Sequence, residues 1–187
     1  MSATNDDSSV CIDLANEDER TLLSNLLELY VHDLSAAFDV QIGADGRFGY
    51  PRLSSYWSEP GARFPFLIRR SGNVVGFALA QRGSPLSDDP EVFDVAEFFV
   101  LRRERRSGVG ARAAMLLWDR LPGRWIVRVA EVNRGALPFW SRVVRDYAGD
   151  AVSQMQRTRE PHCWHVFAFD TQARLPTGAR DSSYASR

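Results

Sequence analysis

The sequence predicts an α/β domain of three layers: a mixed, mostly antiparallel sheet with a central parallel βαβ crossover, and helices on both faces. Three observations predict it. The 187 residues are 44% hydrophobic and 25% charged, as in a single folded domain. Short apolar runs alternate with segments of three-four apolar spacing. One strand–helix–strand run, residues 93–132, requires parallel strands. We expect the domain to span residues 10–170, between a disordered tail (1–9) and a flexible C-terminal tail (171–187).

The N-terminal half is predicted to contain a strand, an amphipathic helix and a hairpin. Asn16 and Glu19 have the spacing of a capping box, and leucines at three-four spacing continue the helix to about Ala37. Ser71-Gly72-Asn73 separates two apolar runs, as a hairpin turn does. The other ranges expected here are a strand at Val10–Leu14, a loop at Gly43–Gly49, a helical turn at Leu53–Trp57, and hairpin strands at Phe64–Arg70 and Val74–Gln81.

The C-terminal half is predicted to contain the parallel crossover, another helix and two closing strands. The glycines of Ser107–Gly110 open a helix that ends near Leu121, before the helix-breaking Pro122-Gly123. The remaining ranges are strands at Phe93–Leu101, Arg124–Val132, Val152–Arg157 and Trp164–Phe169, and a helix at Ala136–Tyr147.

Composition excludes several classes of function. The net charge of −1 disfavours a dedicated nucleic-acid or membrane binder. All 23 basic residues are arginines, so the chain has no lysine for a Schiff base or a P-loop. The N-terminus lacks the pattern of a signal peptide, and no apolar run is long enough to span a bilayer, so we expect a cytoplasmic protein.

We expect no metal site and no disulfide. Cys11 and Cys163 have no zinc-binding spacing, and two such distant cysteines fit a reduced, intracellular protein. His162 and His165, three residues apart in a predicted strand, lie on opposite faces and cannot share one ion.

The stretch from Glu97 to Gly110 indicates an anion site. An apolar strand leads into an arginine-rich loop, and two glycines, Gly108 and Gly110, then open a helix. The first turn of a helix presents unpaired N–H groups, glycines let the main chain approach a ligand, and arginines add charge. The sequence therefore predicts a phosphate or pyrophosphate cradle.

Two kinds of cradle fit this pattern. Gly108–Ala113 satisfies G-x-G-x-x-A, and Glu131 stands where a dinucleotide fold places its ribose-binding acid. However, the run Leu101–Ser107 separates the strand from Gly108, whereas the first glycine of a dinucleotide fold follows its strand almost at once. Arg105–Gly110 instead matches R/Q-x-x-G-x-G/A.

This second pattern resembles the acyl-CoA loop of the GNAT superfamily of N-acetyltransferases. Phe98–Val100 is similar to the strand that precedes the loop in that family, and Asn133, Ala136 and Phe139-Trp140 are similar to its N-x-x-A-x-x-F-Y/W segment. The order of elements over Val10–Phe169 also fits.

The resemblance implies acetyl-CoA or another acyl-CoA (coenzyme A thioester) as the donor substrate. It implies that the loop holds the pyrophosphate, that Val100 pairs with the pantetheine arm where two parallel strands separate, and that Asn133 and the aromatic pair flank the arm and thiol. The residues expected to bind the donor are Phe99, Val100, Arg105, Arg106, Ser107, Gly108, Val109, Gly110, Ala111, Asn133, Ala136, Phe139 and Trp140.

Direct acetyl transfer to a primary amine through a tetrahedral intermediate requires a base and an oxyanion donor. Glu97 is our first candidate base, because it is the only charged residue in Val95–Leu101; a structural pair with Arg128 is its alternative role. Asp94 is the second candidate, and an odd offset of three places the two carboxylates on opposite faces of a regular strand. The N–H near Val100 is the family's usual oxyanion donor.

The sequence differs from the family pattern at the position of the general acid. Trp140 stands where many members carry a tyrosine that protonates the leaving thiolate, and an indole cannot do so at pH 7. The sequence does not choose among the possible substitutes, which are Tyr56, Tyr147, His162 and His165.

The acceptor is expected to be a small-molecule or peptide amine. Acidic and aromatic residues in the expected acceptor regions suit a cationic amine; they are Asp33, Asp39, Tyr50, Tyr56, Trp57, Glu59 and Trp164. The predicted function is an N-acetyltransferase that acts as a monomer or homodimer, without nucleic acid or membrane. The alternatives are a catalytically weak, acyl-CoA-binding regulatory module and a nicotinamide-dinucleotide binder.

Overall fold

The computed structural model describes residues 10–174. The strands are β1 (Val10–Leu14), β2 (Arg63–Arg70), β3 (Asn73–Arg82), β4 (Phe93–Val100), β5 (Arg124–Ala130), β6 (Ser153–Arg159) and β7 (His162–Asp170). The helices are α1 (Arg20–Leu34), α2 (Ser55–Ser58), α3 (Val109–Arg120) and α4 (Leu137–Ala148).

The seven strands form one sheet in the order β1-β2-β3-β4-β5-β7-β6. The β4–β5 pair is parallel, and the other five neighbouring pairs are antiparallel. This confirms the predicted α/β fold class, with its central βαβ crossover through α3.

Helices cover both faces of the sheet. On one face, α3 and α4 bury a large apolar cluster that includes Trp118, Val143 and Phe167. On the other face, α1 and α2 bury a second cluster around Leu23 and Phe77. Within residues 10–174 no helix is both long and apolar enough to cross a membrane.

The last described residues form a turn at the end of β7. Thr171–Arg174, placed in the predicted flexible tail, form a 3-10 turn, and the Gly123 N–H donates to the Thr171 hydroxyl at 2.8 Å. The predicted tail residues 1–9 and 175–187 lie outside the described residues.

A capping box lies at the predicted position, at the start of a 3-10 turn (Glu17–Glu19) that leads directly into α1. The Glu19 N–H donates to the Asn16 side chain and the Asn16 N–H donates to the Glu19 carboxylate, each at 3.1 Å, so the capping box is formed. The helix ends at Leu34, slightly before the predicted end near Ala37.

The centre of the sheet opens between β4 and β5. The described strands pair only at Phe93–Trp125 and Asp94–Ile126, near the start of β4. Beyond these pairs the two strands separate, and the main chain of the second half of β4 has no strand on that side. The opening exposes backbone hydrogen-bonding groups in the middle of the fold.

A β-bulge in β4 corrects the prediction for the two carboxylates. Leu79 of β3 lies opposite Glu97, but Ala80 lies opposite Val95, so Ala96 is an extra residue. The extra residue reverses the alternation, and Asp94 and Glu97 therefore point to the same face of the sheet. The expectation that they lie on opposite faces is wrong, because it assumed a regular strand.

Candidate active site

Two cavities lie at the opening between β4 and β5. The larger, which we call the cleft cavity, has a volume of about 810 Å³ and is lined by the second half of β4, the start of α3, the start of α4 and the end of α1. The smaller, which we call the rim cavity, has a volume of about 530 Å³ and lies beside Glu97.

The predicted anion cradle forms one wall of the cleft cavity. Arg106 and Gly108 have positive φ values of 63° and 89°, which turn the loop sharply into the first turn of α3. The N-cap residue of this helix, Gly108, has no side chain that could cap it, and the first turn of a helix presents N–H groups that can bind an anion. A Cβ on Gly110 would lie 3.3 Å from the Phe139 ring, so glycine keeps this approach open.

Two arginines of the loop are fixed by Asp33 at the end of α1. Arg102 and Arg105 contact the Asp33 carboxylate at 2.6 and 2.5 Å. Partial burial raises the pKa of Asp33, but the two guanidinium groups outweigh this and hold it below its usual value. The pairing positions Arg105 at the edge of the cleft cavity.

The main chain of Val100 faces the opening. The N–H of the next residue, Leu101, donates to the Val75 carbonyl of β3 at 2.9 Å. Peptide groups alternate in direction along a strand, so the N–H and carbonyl of Val100 point away from β3. Arg105 Nε donates to the Val100 carbonyl at 2.7 Å, which leaves the Val100 N–H as a donor toward the cleft.

Most of the residues predicted to bind the donor line the cleft cavity. These are Phe99, Val100, Arg105, Arg106, Gly108, Gly110, Ala111, Asn133, Ala136, Phe139 and Trp140. Val109 is buried in the core instead, and Ser107 Oγ donates to the Glu104 carbonyl at 2.7 Å. The rings of Phe98 and Trp140 pack edge-on, with centroids 5.1 Å apart, and both line the cavity.

Glu97 lies where the two cavities approach each other. Tyr30 of α1 donates its hydroxyl to one carboxylate oxygen at 2.5 Å, and Tyr50 donates to the other at 3.0 Å. Tyr30 lines the cleft cavity, whereas Tyr50 and Glu97 line the rim cavity. Burial raises the pKa of Glu97 above its usual value, against the two tyrosine hydrogen bonds and Arg128, which lower it.

Asp94 has a different environment. Its side chain is fully buried, and Arg128 Nε donates to both of its oxygens, at 2.9 and 3.2 Å. Burial raises the pKa of Asp94, and Arg128 partly offsets this. Arg128, the alternative partner predicted for Glu97, is therefore bound to Asp94, and Glu97 is the carboxylate that faces a cavity.

The four substitutes considered for the missing tyrosine do not line the cleft cavity. Tyr147 donates to Asp119 at 2.7 Å on the α3–α4 face, and Tyr56, a residue of α2, is buried in the apolar cluster against β2 and β3. His162 packs against Phe38, and His165 lies opposite Val129 in the sheet. Tyr30 is the phenol that reaches the cleft, and sequence analysis missed it because its place on the apolar stripe of α1 predicts a core residue.

The rim cavity differs from the predicted acidic acceptor site. Four arginines line it, Arg52, Arg63, Arg128 and Arg159, together with Glu97, Asp88 and Asp89.

The acidic residues that were predicted to attract a cation have other partners. Asp33 pairs with the cradle arginines, Glu59 pairs with Arg63 at 2.7 Å, and Asp39 accepts a hydrogen bond from Gln41. Tyr50 is the predicted residue that lines this cavity; Trp57 donates to the Ala15 carbonyl, and Trp164 packs against Arg128.

The family follows from a sequence comparison. The sequence pattern of the acetyltransferase (GNAT) family matches residues 25–144, which include most of α1, the β4 strand, the cradle and Asn133. The chain belongs to the GNAT family of acetyltransferases. A search of curated proteins finds no match.

Solved structures of GNAT proteins share this fold. An acetyltransferase from Thermus thermophilus superposes with a TM-score of 0.62 at 13% identity, covering 87% of this chain and 97% of that chain. RimL, the ribosomal L7/L12 α-N-protein acetyltransferase, in complex with coenzyme A, gives 0.65 at 11% identity (89% and 96%). The aminoglycoside acetyltransferase AAC(6')-Ib, in complex with coenzyme A, gives 0.64 at 12% identity (88% and 96%).

The dinucleotide-fold alternative does not fit this architecture. A doubly wound sheet is built from successive parallel strands, whereas this sheet has one parallel pair and the topology of its GNAT neighbours. Glu131, the predicted ribose-binding acid, is exposed and lines neither cavity.

Proposed function

We propose that this protein transfers an acetyl group from acetyl-CoA to a primary amine, with the donor in the cleft cavity and the acceptor in the rim cavity. The observation that carries the proposal is the position of Glu97. Its carboxylate lines the rim cavity and is bound by Tyr30, which lines the cleft cavity. Groups that can move protons thus connect the two sites.

The cleft cavity supplies what an acyl-CoA needs. The first N–H groups of α3 and the arginines Arg105 and Arg106 suit a pyrophosphate. The exposed main chain of β4 suits the amide groups of a pantetheine arm, and Asn133 lies across the same cavity. Coenzyme A is bound in the structures of RimL and AAC(6')-Ib, which have the same fold.

Glu97 is the proposed general base. An alkyl amine with a pKa of about 10.4 is neutral in only about one molecule in 2,500 at pH 7, so the reaction needs a group that takes its proton. A raised pKa makes the Glu97 carboxylate a better proton acceptor than an exposed glutamate. The ammonium first loses one proton to solvent. The neutral amine nitrogen then forms a bond to the thioester carbon, and the second proton that the nitrogen loses goes to Glu97.

Val100 and Tyr30 would complete the reaction. The Val100 N–H faces the opening and would donate to the oxyanion of the tetrahedral intermediate. When the carbon–sulfur bond breaks, the sulfur takes the hydroxyl proton of Tyr30, and the protonated Glu97 returns a proton to the Tyr30 oxygen. Burial and the Glu97 charge hold the pKa of Tyr30 above its usual value, so its hydroxyl stays protonated until it is used. Tyr30 thus takes the role that Trp140 cannot fill.

An amino group is the acceptor that the neighbours favour. The neighbours include an α-N-protein acetyltransferase and an aminoglycoside acetyltransferase, one structure of which was determined with kanamycin. The cytoplasmic location and the monomer or homodimer expected from the sequence stay predictions.

The test is an assay of amine-dependent acetyl transfer. The protein is incubated with acetyl-CoA and a panel of amines, and free thiol release and the product mass are both measured. We expect an acceptor whose mass increases by that of an acetyl group replacing a hydrogen, about once per thiol released. Binding of acetyl-CoA without turnover on any amine would favour the regulatory-module alternative instead.

A further inference from the structure

The most buried cation of the rim cavity is Arg128 of β5. Its side chain is 16% exposed, and its guanidinium lies 5.3 Å from the centroid of the Trp164 ring. Asp94, which is fully buried, accepts two hydrogen bonds from its Nε atom. The guanidinium is therefore fixed in orientation by an ion pair on one edge and a ring on one face.

The other edge of this guanidinium is unused. Within residues 10–174 the Nη atoms of Arg128 make no hydrogen bond, although the side chain lines the rim cavity. Asp94 already uses the Nε edge, so the two Nη groups remain to bind a ligand. A fixed pair of N–H donors is the geometry that binds a carboxylate with two parallel hydrogen bonds.

The other arginines of the cavity are bound or exposed. Arg63 pairs with Glu59 at 2.7 Å, and Arg159 donates to the Pro85 carbonyl at 2.6 Å. Arg52 is exposed at the edge. Arg128 differs from them in being held on its Nε edge and on one face while its Nη edge has no partner within residues 10–174.

We infer that the acceptor is an amino acid, bound with its amine at Glu97 and its carboxylate at the Nη edge of Arg128. This inference rests on the proposed function and adds the class of acceptor. Glu97 and Arg128 line the same cavity and are near enough for the Arg128 charge to act on the Glu97 carboxyl. A negative and a positive group that line the same cavity match a molecule that carries an ammonium and a carboxylate close together.

The experiment compares amines that differ only in the carboxylate. The pairs are L-leucine and isopentylamine, L-phenylalanine and phenethylamine, and L-histidine and histamine, with L-leucinamide as a form in which the carboxylate is uncharged. We expect kcat/KM for at least one amino acid to exceed that of its decarboxylated partner by about 10- to 100-fold, the value of a charged hydrogen-bonded contact. Calorimetric titration of the same compounds into the coenzyme A complex measures the preference without turnover.

Variants of Arg128 test whether this residue causes the preference for an amino acid over its decarboxylated amine. Arg128→Gln alone leaves Asp94 buried without a partner and is expected to fold poorly, so the double variant Asp94→Asn/Arg128→Gln removes both charges together. We expect the amino acid to amine ratio to fall to within about threefold of one in the double variant. Arg120→Gln, which removes an arginine at the end of α3 outside both cavities, should keep the wild-type ratio.

Two results would overturn the inference. If isopentylamine, phenethylamine and histamine are all acetylated as well as their parent amino acids, Arg128 does not bind a carboxylate, and the proposed acetyltransferase activity still stands. If acetyl-CoA binds but no amino acid binds or reacts, the acceptor belongs to another class. Failure of acetyl-CoA itself to bind would instead contradict the proposed function.

Discussion

At the scale of residues, the proposed function depends on one half-buried carboxylate, Glu97, and its two phenol partners. Glu97 would be expensive to bury if it stood alone, and the hydroxyls of Tyr30 and Tyr50 each donate to it. The sequence identified Glu97, because a single charge in an apolar strand stands out. It did not identify Tyr30 or Tyr50 as partners of Glu97, because their contacts join residues 67 and 47 positions away from it.

The first prediction concerns the pH dependence of the base. Glu97 must be ionised to accept a proton, and burial raises its pKa, so kcat/KM should rise with pH through a value above the usual glutamate pKa of about 4.3. Glu97→Gln should lower kcat by about 10²- to 10⁴-fold and remove this acid limb. The measurement is a pH–rate profile, with Glu91→Gln as a control that changes an exposed glutamate outside both cavities. A Glu97→Gln variant with an unchanged acid limb would show that another group is the base.

The second prediction separates the two tyrosines. Tyr30→Phe keeps the ring between Phe77 and Phe99 but removes the hydroxyl, and we expect kcat to fall by about 10- to 100-fold through loss of the proton donor. Tyr50→Phe should reduce kcat less, because Tyr50 lines only the rim cavity. Both variants should move the acid limb to higher pH, since each hydroxyl stabilises the Glu97 carboxylate. Equal losses of kcat in the two variants would contradict the assignment of Tyr30 to the leaving thiol.

At the scale of elements, β4 shows which features a sequence pattern can predict. Its apolar residues and its parallel relation to β5 were predictable, because both follow from local patterning and the right-handed crossover. The bulge at Ala96 was not, because an extra residue is defined only by the register of the facing strand, and here it decides the side to which Asp94 points. The expected alternation of side chains along β4 is thus interrupted between Asp94 and Glu97, the two candidate bases.

The third prediction concerns the contact between β3 and β4. A Cβ on Gly76 would overlap the Phe99 carbonyl oxygen of β4, a backbone atom that cannot move aside cheaply. Gly76→Ala should therefore destabilise the fold by about 1–3 kcal/mol and lower Tm by roughly 3–10 °C. Gly135→Ala is the matched control, because its Cβ would meet nothing within 4 Å and its Tm should stay close to that of the wild type. Calorimetry measures the Tm of both variants. An unchanged Tm for Gly76→Ala would contradict the packing described for these strands.

At the scale of the whole molecule, the opening between β4 and β5 places two cavities next to each other. The separation of β4 and β5 leaves the cleft cavity on one side of Glu97 and the rim cavity beside it. The cradle and Asn133 were predictable from their motifs. The charge of the rim cavity, the proposed acceptor site, was not predictable, because Asp33 and Glu59 pair with arginines whose proximity only the folded chain defines.

The measurement that tests the central claim most directly is the melting temperature with and without acetyl-CoA, with NAD as the control ligand. Acetyl-CoA at 100 times its Kd should stabilise the fold by about 2.7 kcal/mol and raise Tm by roughly 5–10 °C, whereas NAD should not. Gly108→Asp should abolish the shift, because a side chain at a φ of 89° and a carboxylate in the cradle both oppose the pyrophosphate. A shift with NAD alone, or none with acetyl-CoA, would contradict the assignment of the cleft cavity to the acyl donor.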